Sequence, residues 1–249
     1  GVQQVRIDRE RRLAALVLGD RNLVLLGKLD QPGAGREIPF PPRGDDLDVR
    51  LQRVIAELET HLVVALARRA VGDGIGADFL YSVVVSEEIS RAGLTGIGWG
   101  LHTEIVAPYI EHYGSEALKH KYLPKMVTGE MIGAIAMSEP GAGSDLQGVK
   151  TTAVKDGDHY ILNGSKTFIT NGQNADLVIV VAKTDPSKGA KGTSLIIVEE
   201  GMEGFEKGKN LKKVGMKAQD TSELFFEDVR VSRDQLLGGV EGRGFAQLM

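Results

Sequence analysis

The sequence has no cysteine among its 249 residues. Disulfide bonds and thiol nucleophiles are therefore excluded, and the composition suits a reducing compartment. No apolar run reaches the roughly 18 residues that a membrane-spanning helix needs. The first residues lack both a secretory signal and a convincing transit peptide. We expect a soluble, intracellular protein with no membrane span.

The chain also has no large excess of charge of one sign. Its 30 Lys and Arg are balanced by 34 Asp and Glu, which gives a net charge of −4. This mixture lacks the basic surface typical of nucleic-acid-binding proteins. The five histidines are scattered without an acidic cluster, so we expect no metal site. The length allows one large or two ordinary domains.

Residues 1–73 differ in composition from the rest. This segment has eleven Arg and one Lys, whereas residues 74–249 have four Arg and fourteen Lys. Residues 31–44 are rich in proline and glycine, which predicts a linker or loop. Residues 47–70 carry one apolar stripe at helical spacing, with Asp45 or Asp46 as a candidate cap. Our hypothesis is that this atypical segment, with its one predicted helix, has a separate origin.

Residues 74–130 follow a helical pattern. We predict helices over 79–92, 99–112 and 115–128, the last capped by Ser115 with Glu116 in its first turn. From residue 131 to 235 the pattern changes to short strands, and residues 236–249 predict the start of a helix that is cut off. The fold class expected is α+β: an N-terminal α-helical domain followed by a small antiparallel β-barrel or sandwich.

Turn residues divide the predicted strands. Gly157 lies in a charged tetrapeptide, residues 155–158, that predicts a hairpin, and Asn163-Gly164 predicts a second tight turn. Further strands are predicted over residues 175–182, 193–198, 211–215 and 222–231.

A loop at the end of the first of these strands is the main candidate for function. Residues 131–137 are apolar, and Ser138, Glu139, a proline and two glycines follow directly. Glycines let the backbone approach a ligand, and loop amides can collect around an anion. The third glycine, Gly148, is at the wrong offset for a dinucleotide fingerprint, and no Lys-Ser/Thr pair follows. The pattern leaves two interpretations open: a ligand loop on a β element, or a simple turn.

These residues resemble a known family. Residues 136–145, AMSEPGAGSD, are similar to the signature of the flavin-dependent acyl-CoA dehydrogenases, and the wording is nearest to the long-chain type. The second flavin-side motif is matched by residues 163–172, NGSKTFITNG. Later strands of the family are matched by residues 217–221, KAQDT, and 224–229, LFFEDV. The resemblance runs from about Gly74 to Met249.

The resemblance implies FAD as cofactor and an acyl-CoA as substrate, which is oxidised to the trans-2-enoyl-CoA. It assigns Ser144 to the acyl-CoA. Phe168 would lie against the flavin ring where the family commonly has tryptophan, and Thr170 would hydrogen-bond near N5. The cofactor-binding residues that it implies are Ile135, Ala136, Met137, Ser138, Gly143, Phe168, Ile169 and Thr170. Without the motif, Phe168 and Ile169 would be interpreted as ordinary strand core.

No catalytic residue can be assigned within this chain by resemblance. The family's catalytic glutamate lies in a C-terminal four-helix domain, which we expect beyond Met249, and Glu139 is predicted to be structural or capping. The resemblance also implies an electron-transfer flavoprotein as electron acceptor, a cytoplasmic or, in a eukaryote, mitochondrial-matrix location, and a homotetramer that is doubtful for this chain alone. The alternative is a non-catalytic acyl-CoA- or flavin-binding module or interaction subunit.

Overall fold

The computed structural model describes the backbone of four short strands within residues 3–39, single positions at 82, 83, 86, 90 and 98, and all of residues 100–249. The chain divides into two compact units, Gly1–Leu58 and Glu59–Met249. The predicted helix over residues 47–70 and the compositional change at residue 73 lie outside the described residues. The predicted domain boundaries stay predictions.

The first unit contains an antiparallel sheet whose strands pair in chain order. Its strands are β1 (Gln3–Gln4), β2 (Leu16–Leu18), β3 (Asn22–Leu26) and β4 (Gly35–Pro39). The linker predicted over residues 31–44 is therefore wrong at β4, which pairs with β3 along its whole length. The apolar residues of β3 favour a strand, and an edge strand such as β4 tolerates a proline at its end.

Helices precede the strands in the second unit. A π-helical segment, Leu101–Val106, continues into α1 (Ala107–Tyr113), and α2 (Glu116–Thr128) follows. The Ser115 hydroxyl accepts a hydrogen bond from the Leu118 amide at 3.3 Å, which confirms the predicted cap. Gly129, at φ 74°, ends α2 in the left-handed conformation. The described positions of the helix predicted over residues 79–92 are helical.

A seven-stranded sheet forms the body of the second unit. Six strands follow the order β10-β11-β7-β6-β8-β5, and β9 pairs with β8. The predicted antiparallel arrangement holds for most pairs, but β5 runs parallel to β8, so the sheet is mixed. The bounds are β5 (Gly133–Ala136), β6 (Thr152–Asp156), β7 (His159–Thr170), β8 (Leu177–Lys183), β9 (Thr193–Glu199), β10 (Phe205–Asn210) and β11 (Thr221–Ser232).

The sheet is buried on both faces at β8. Val178, Val180 and Ala182 belong to one apolar cluster within the curled sheet. The alternate residues, Leu177, Ile179 and Val181, belong to a second cluster that includes residues of α1 and α2. Because neighbouring side chains in a strand point to opposite faces, the continuous apolar run of β8 satisfies both clusters.

One of the two predicted hairpins forms. Gly157, at φ 58°, connects β6 to β7 as expected. The turn predicted at Asn163-Gly164 is wrong, since β7 runs unbroken through both residues. The side chain of Asn163 instead exchanges two hydrogen bonds of 2.9 Å with Asp228, which lies where β11 has one extra residue opposite β7. Asn163 therefore hydrogen-bonds to a residue far away in the sequence, and its segment stays extended where a turn was predicted.

Two other predictions need correction, one for a strand and one for a helix. Residues 211–215 were predicted as a strand but are irregular, although the Leu211 amide donates to the Thr221 carbonyl at 2.8 Å. The strand before β11 is β10, whose polar sequence FEKGKN gives little sign of it. At the end of the chain, α3 (Gly244–Leu248) begins later than the helix predicted from residue 236.

His102 connects the helices to the first strand of the sheet. Its Nδ1 accepts from the Gly133 amide at 2.9 Å, and its Nε2 lies 3.1 Å from the Met126 carbonyl, to which it donates. This arrangement requires the neutral ring. Burial lowers the pKa of His102 from 6.5, while the Met126 carbonyl and the charge of Asp176 oppose the shift.

This pKa predicts a loss of stability in acid. Because the pKa of His102 is lower in the folded state, the unfolded state binds the proton more tightly. The stabilisation is complete above the unfolded pKa and is lost as the pH falls through the folded value. We expect the free energy of unfolding, measured in urea at about pH 7.5 and about pH 5.5, to fall less in His102→Gln than in the wild type. The control is His120→Gln, at an exposed histidine, which should show the same fall in unfolding free energy between the two pH values as the wild type. If the fall in His102→Gln equals that of the wild type, His102 is not the cause of the acid destabilisation.

Candidate functional site

The signature loop, residues 137–151, begins where β5 ends. Glu139 and Ala142 exchange backbone hydrogen bonds of 2.8 and 3.1 Å around Pro140-Gly141, which closes a tight turn. Gly143 and Ser144 follow in an exposed position. A Cβ built on Gly141 or Gly143 would meet no heavy atom within 4 Å. The loop therefore presents open backbone that a ligand can approach.

The return of the loop is equally ordered. Asp145 accepts a hydrogen bond from the Gln147 amide at 3.1 Å and so caps a single 3-10 turn, Leu146–Gly148. Val149 is buried against the helices, and the chain then enters β6. The exposed tip at Ser144 thus lies between two hydrogen-bonded turns, the one at Pro140-Gly141 and the 3-10 turn.

Phe168 is the unusual residue of β7. Between Ile169 and Lys166, β7 has three residue steps where β11 has two, so β7 carries a bulge. Phe168 lies in this bulge at φ 59°, and it is 69% exposed. Positive φ is uncommon for a bulky residue and is concentrated at functional sites. The bulge breaks the alternation of the strand and turns the aromatic ring out of the sheet, so Phe168 is not a core residue.

The signature loop and the bulge lie side by side. The Thr167 amide donates to the Ser138 carbonyl at 2.9 Å, which places Phe168 next to the exit of β5. Thr170, half-buried, is the last residue of β7. The other residues predicted from the sequence, Ile135, Ala136 and Ile169, have buried side chains, so only their backbone could meet a ligand.

Glu139 has the structural role that the sequence predicts. Its carboxylate pairs with the Lys166 ammonium at 2.9 Å, and the two side chains are 6% and 0% exposed. Burial alone would raise the pKa of Glu139, but hydrogen bonds from Thr151 and Lys150 and the charge of Lys166 outweigh it and hold the pKa below 4.5. A carboxylate so satisfied is a poor general base.

Sequence reasoning missed three residues that shape this site. Lys166 and Thr151 surround Glu139. Asn171, at φ 62°, donates from its side chain to the carbonyls of Gly98 and Gly133 at 3.2 and 3.3 Å. The sequence did contain one signal for two of them. Lys166 and Asn171 are close to strand positions that are buried, whereas charged and amide side chains are mostly exposed.

Two further findings concern the part of the chain that the structure describes. No helix there is long and apolar enough to cross a membrane. No group of three or more His, Asp or Glu side chains there could hold a metal ion.

Two family models match this chain, one over the helical region and one over the β region. The model of the acyl-CoA dehydrogenase N-terminal domain matches residues 52–130, and that of the acyl-CoA dehydrogenase middle domain matches residues 134–229. The chain belongs to the acyl-CoA dehydrogenase family. The match begins at residue 52, before the resemblance starting at Gly74, so part of the atypical first segment is family sequence.

Individual proteins are similar over the same region. The long-chain specific acyl-CoA dehydrogenase of pig (Sus scrofa) mitochondria is 56% identical over 178 residues, which are 71% of this chain and 41% of that protein. A crystal structure of an acyl-CoA dehydrogenase from Geobacillus kaustophilus has a TM-score of 0.74 and 51% identity, covering 80% of this chain and 52% of that one. A structure of the electron transferring flavoprotein of Acidaminococcus fermentans has a TM-score of 0.71 and 38% identity, covering 79% and 52%. The chain spans about half the length of these relatives or less.

Acyl-CoA dehydrogenases are FAD-dependent, and the geometry here fits a flavin. A flavin needs an apolar face to lie on and polar groups along its edge. Phe168 offers an exposed aromatic face, the exit of β5 brings backbone groups and the Ser138 hydroxyl beside it, and the glycines of the signature loop leave space. These features belong to the acyl-CoA dehydrogenase middle domain of this chain.

Proposed function

We propose that this chain forms the flavin-facing and thioester-facing part of an enzyme that oxidises an acyl-CoA to the trans-2-enoyl-CoA. The observation that carries the proposal is Phe168, an aromatic side chain held out of its strand in a left-handed bulge beside Ser138. Bound FAD would supply the hydride-accepting chemistry that oxidation at the β-carbon of the acyl group requires. The protein's task is to bind and orient both ligands.

The residues of the site divide this task. The ring of Phe168 supports the flat face of the flavin, and the Thr170 hydroxyl lies two residues further on to hydrogen-bond near its edge. Backbone groups of residues 135–137, Gly143 and the Ser138 hydroxyl complete the cofactor's surroundings. Ser144, exposed at the tip of the signature loop, contacts the acyl-CoA. Hydrogen bonds to the thioester oxygen would stabilise the charge that develops there.

The α-proton needs a different acceptor from the carboxylate of the signature. Glu139 accepts hydrogen bonds from Lys166, Thr151 and Lys150 and is buried. Taking a proton would cost it the ion pair. We therefore assign proton abstraction to a carboxylate other than Glu139.

The substrate, the electron acceptor and the location are proposed from the similarity to known proteins. We propose a long-chain fatty acyl-CoA as the substrate because of the 56% identity to the pig enzyme. An electron-transfer flavoprotein is the proposed electron acceptor, and the mitochondrial matrix is the proposed location if the chain is eukaryotic. The engagement of Glu139 also supports the second candidate, a flavin- and acyl-CoA-binding module without catalysis.

Visible absorption tests both candidates. The purified chain is titrated with FAD and then, without oxygen, with a saturated long-chain acyl-CoA. A bound flavin whose absorption band bleaches supports the dehydrogenase. A bound flavin that does not bleach supports the binding module, and failure to bind FAD at all contradicts both.

Replacing Phe168 with alanine should weaken FAD binding. An aromatic contact of this kind contributes about 0.5–1.5 kcal/mol, so we expect the dissociation constant to rise up to about tenfold. Quenching of flavin fluorescence measures it. Phe225, 41% exposed on β11 where it packs over Gly208, gives the control. Phe225→Ala should bind FAD as the wild type does; equal weakening in both variants would contradict the role of Phe168.

A further inference from the structure

Lys166 is a fully buried lysine with three acceptors. Its ammonium donates to the carbonyls of Val181 on β8 at 2.7 Å and of Met137 at 3.1 Å, and to Glu139 Oε1 at 2.9 Å. An ammonium has three hydrogens, so all of them are used. Two of the three acceptors lie in the first residues of the signature loop. Lys166 itself lies two residues before Phe168 on β7.

Glu139 connects the beginning of the loop to its end. Besides the ammonium, its Oε1 accepts from the amide and the hydroxyl of Thr151 at 3.0 and 2.5 Å, and its Oε2 accepts from the Lys150 amide at 2.6 Å. The carboxylate therefore closes the signature loop across its base. Lys166 then fastens this closed loop to β7 and β8.

Stability alone is a weak reason for such a pair. Burying two charges costs desolvation that their attraction barely repays, and apolar residues of similar volume often serve as well. A buried pair does impose one geometry on the groups that it joins. Lys183, on β8, is a useful comparison, because it is also buried but donates to the Gly189 carbonyl and to the hydroxyl of Thr193 at the start of β9, both outside the signature loop.

We propose that Lys166 and Glu139 are a positioning pair, which holds Met137 and Ser138 and the open tip of the signature loop in the geometry that receives the flavin. The proposal rests on the proposed function for the identity of the ligand. Neither residue touches the flavin; they act through the backbone of the loop. The bulge that turns Phe168 outward and the loop that faces it are thus fixed by one buried contact.

The pair should respond to pH. Burial lowers the pKa of Lys166 to about 8, against the attraction of Glu139. The charged group that acts on Lys166 is Glu139. Glu139 and Asp145 also act on Lys183 of β8. When Lys166 loses its proton it keeps two hydrogens for three acceptors, so the loop is held less firmly.

The test compares the double variant Lys166→Met/Glu139→Gln with Lys183→Met. The double variant leaves no unpaired buried charge and should fold. We expect its FAD dissociation constant to rise at least tenfold and its amides in residues 137–151 to exchange faster in the flavin-free protein, while Lys183→Met retains wild-type values. Wild-type affinity together with wild-type exchange in the double variant would overturn the proposal.

Two readouts separate this proposal from the proposed function. If the wild type fails to bind FAD, the proposed function is wrong. Amide hydrogen exchange of the signature loop in the flavin-free protein still decides whether the pair positions the loop. If FAD binds, its dissociation constant should rise between about pH 7 and about pH 9.5 in the wild type and in Lys183→Met, and should not change with pH in the double variant. A wild-type dissociation constant that does not change over this pH range would contradict the positioning role.

Discussion

Lys166→Met alone is expected to lower the free energy of unfolding by about 3–5 kcal/mol, because it leaves the Glu139 carboxylate buried without its counter-ion. The two side chains are 0% and 6% exposed, so water cannot replace the lost ammonium. The carbonyls of Met137 and Val181 lose a donor at the same time. Urea denaturation at neutral pH measures the change.

Two variants show whether the lost charge is the cause. Lys183→Met removes a buried lysine that has only neutral acceptors, so we expect a smaller loss of about 1–2 kcal/mol. Adding Glu139→Gln to Lys166→Met should restore much of the stability, since no buried anion remains. If the double variant is as unstable as the single one, the cost comes from packing and the charge explanation is wrong.

Gly164→Ala is expected to destabilise the protein by about 2–4 kcal/mol, through overpacking and backbone strain together. Gly164 lies at φ 152°, and a Cβ there would clash with Thr151 Oγ1 and lie 2.8 Å from Thr151 Cα. The second atom is backbone and cannot turn away. Because Thr151 also donates to Glu139, the substitution should disturb the base of the signature loop as well.

Gly215→Ala is the matched control. A Cβ at Gly215 meets nothing within 4 Å, and its φ is not positive. We expect its stability to stay within about 0.5 kcal/mol of the wild type. Thermal unfolding of both variants measures the contrast. An equal, small effect at the two glycines would contradict the close packing of Gly164 against Thr151.

Local signals in the sequence predicted local structure well. Ser115 caps α2, and Gly157 turns β6 into β7, because in each case the residue's own chemistry decides the backbone. The resemblance also implied that Ser138 and Phe168 lie near each other, and the backbone hydrogen bond from Thr167 to Ser138 joins their two segments. The change from helices to strands near residue 131 was also predicted, and β5 begins at Gly133.

What the sequence could not predict depends on distant partners. Asn163-Gly164 has the composition of a hairpin turn, but its asparagine is bound by Asp228, 65 residues away. The outward turn of Phe168 arises from the register of β7 against β11. Lys166 looks like an exposed strand residue until the fold brings Glu139 to it. In each case tertiary pairing overrides the local pattern.

The most direct test of the flavin site is amide hydrogen exchange of the purified chain with and without saturating FAD. We expect slower exchange in residues 135–145 and 165–172, which contain the exit of β5 and the Phe168 bulge, and little change in β9 and β10. That result would place the cofactor between the signature loop and Phe168. Unchanged exchange in both segments, or protection confined to β9 and β10, would contradict the account.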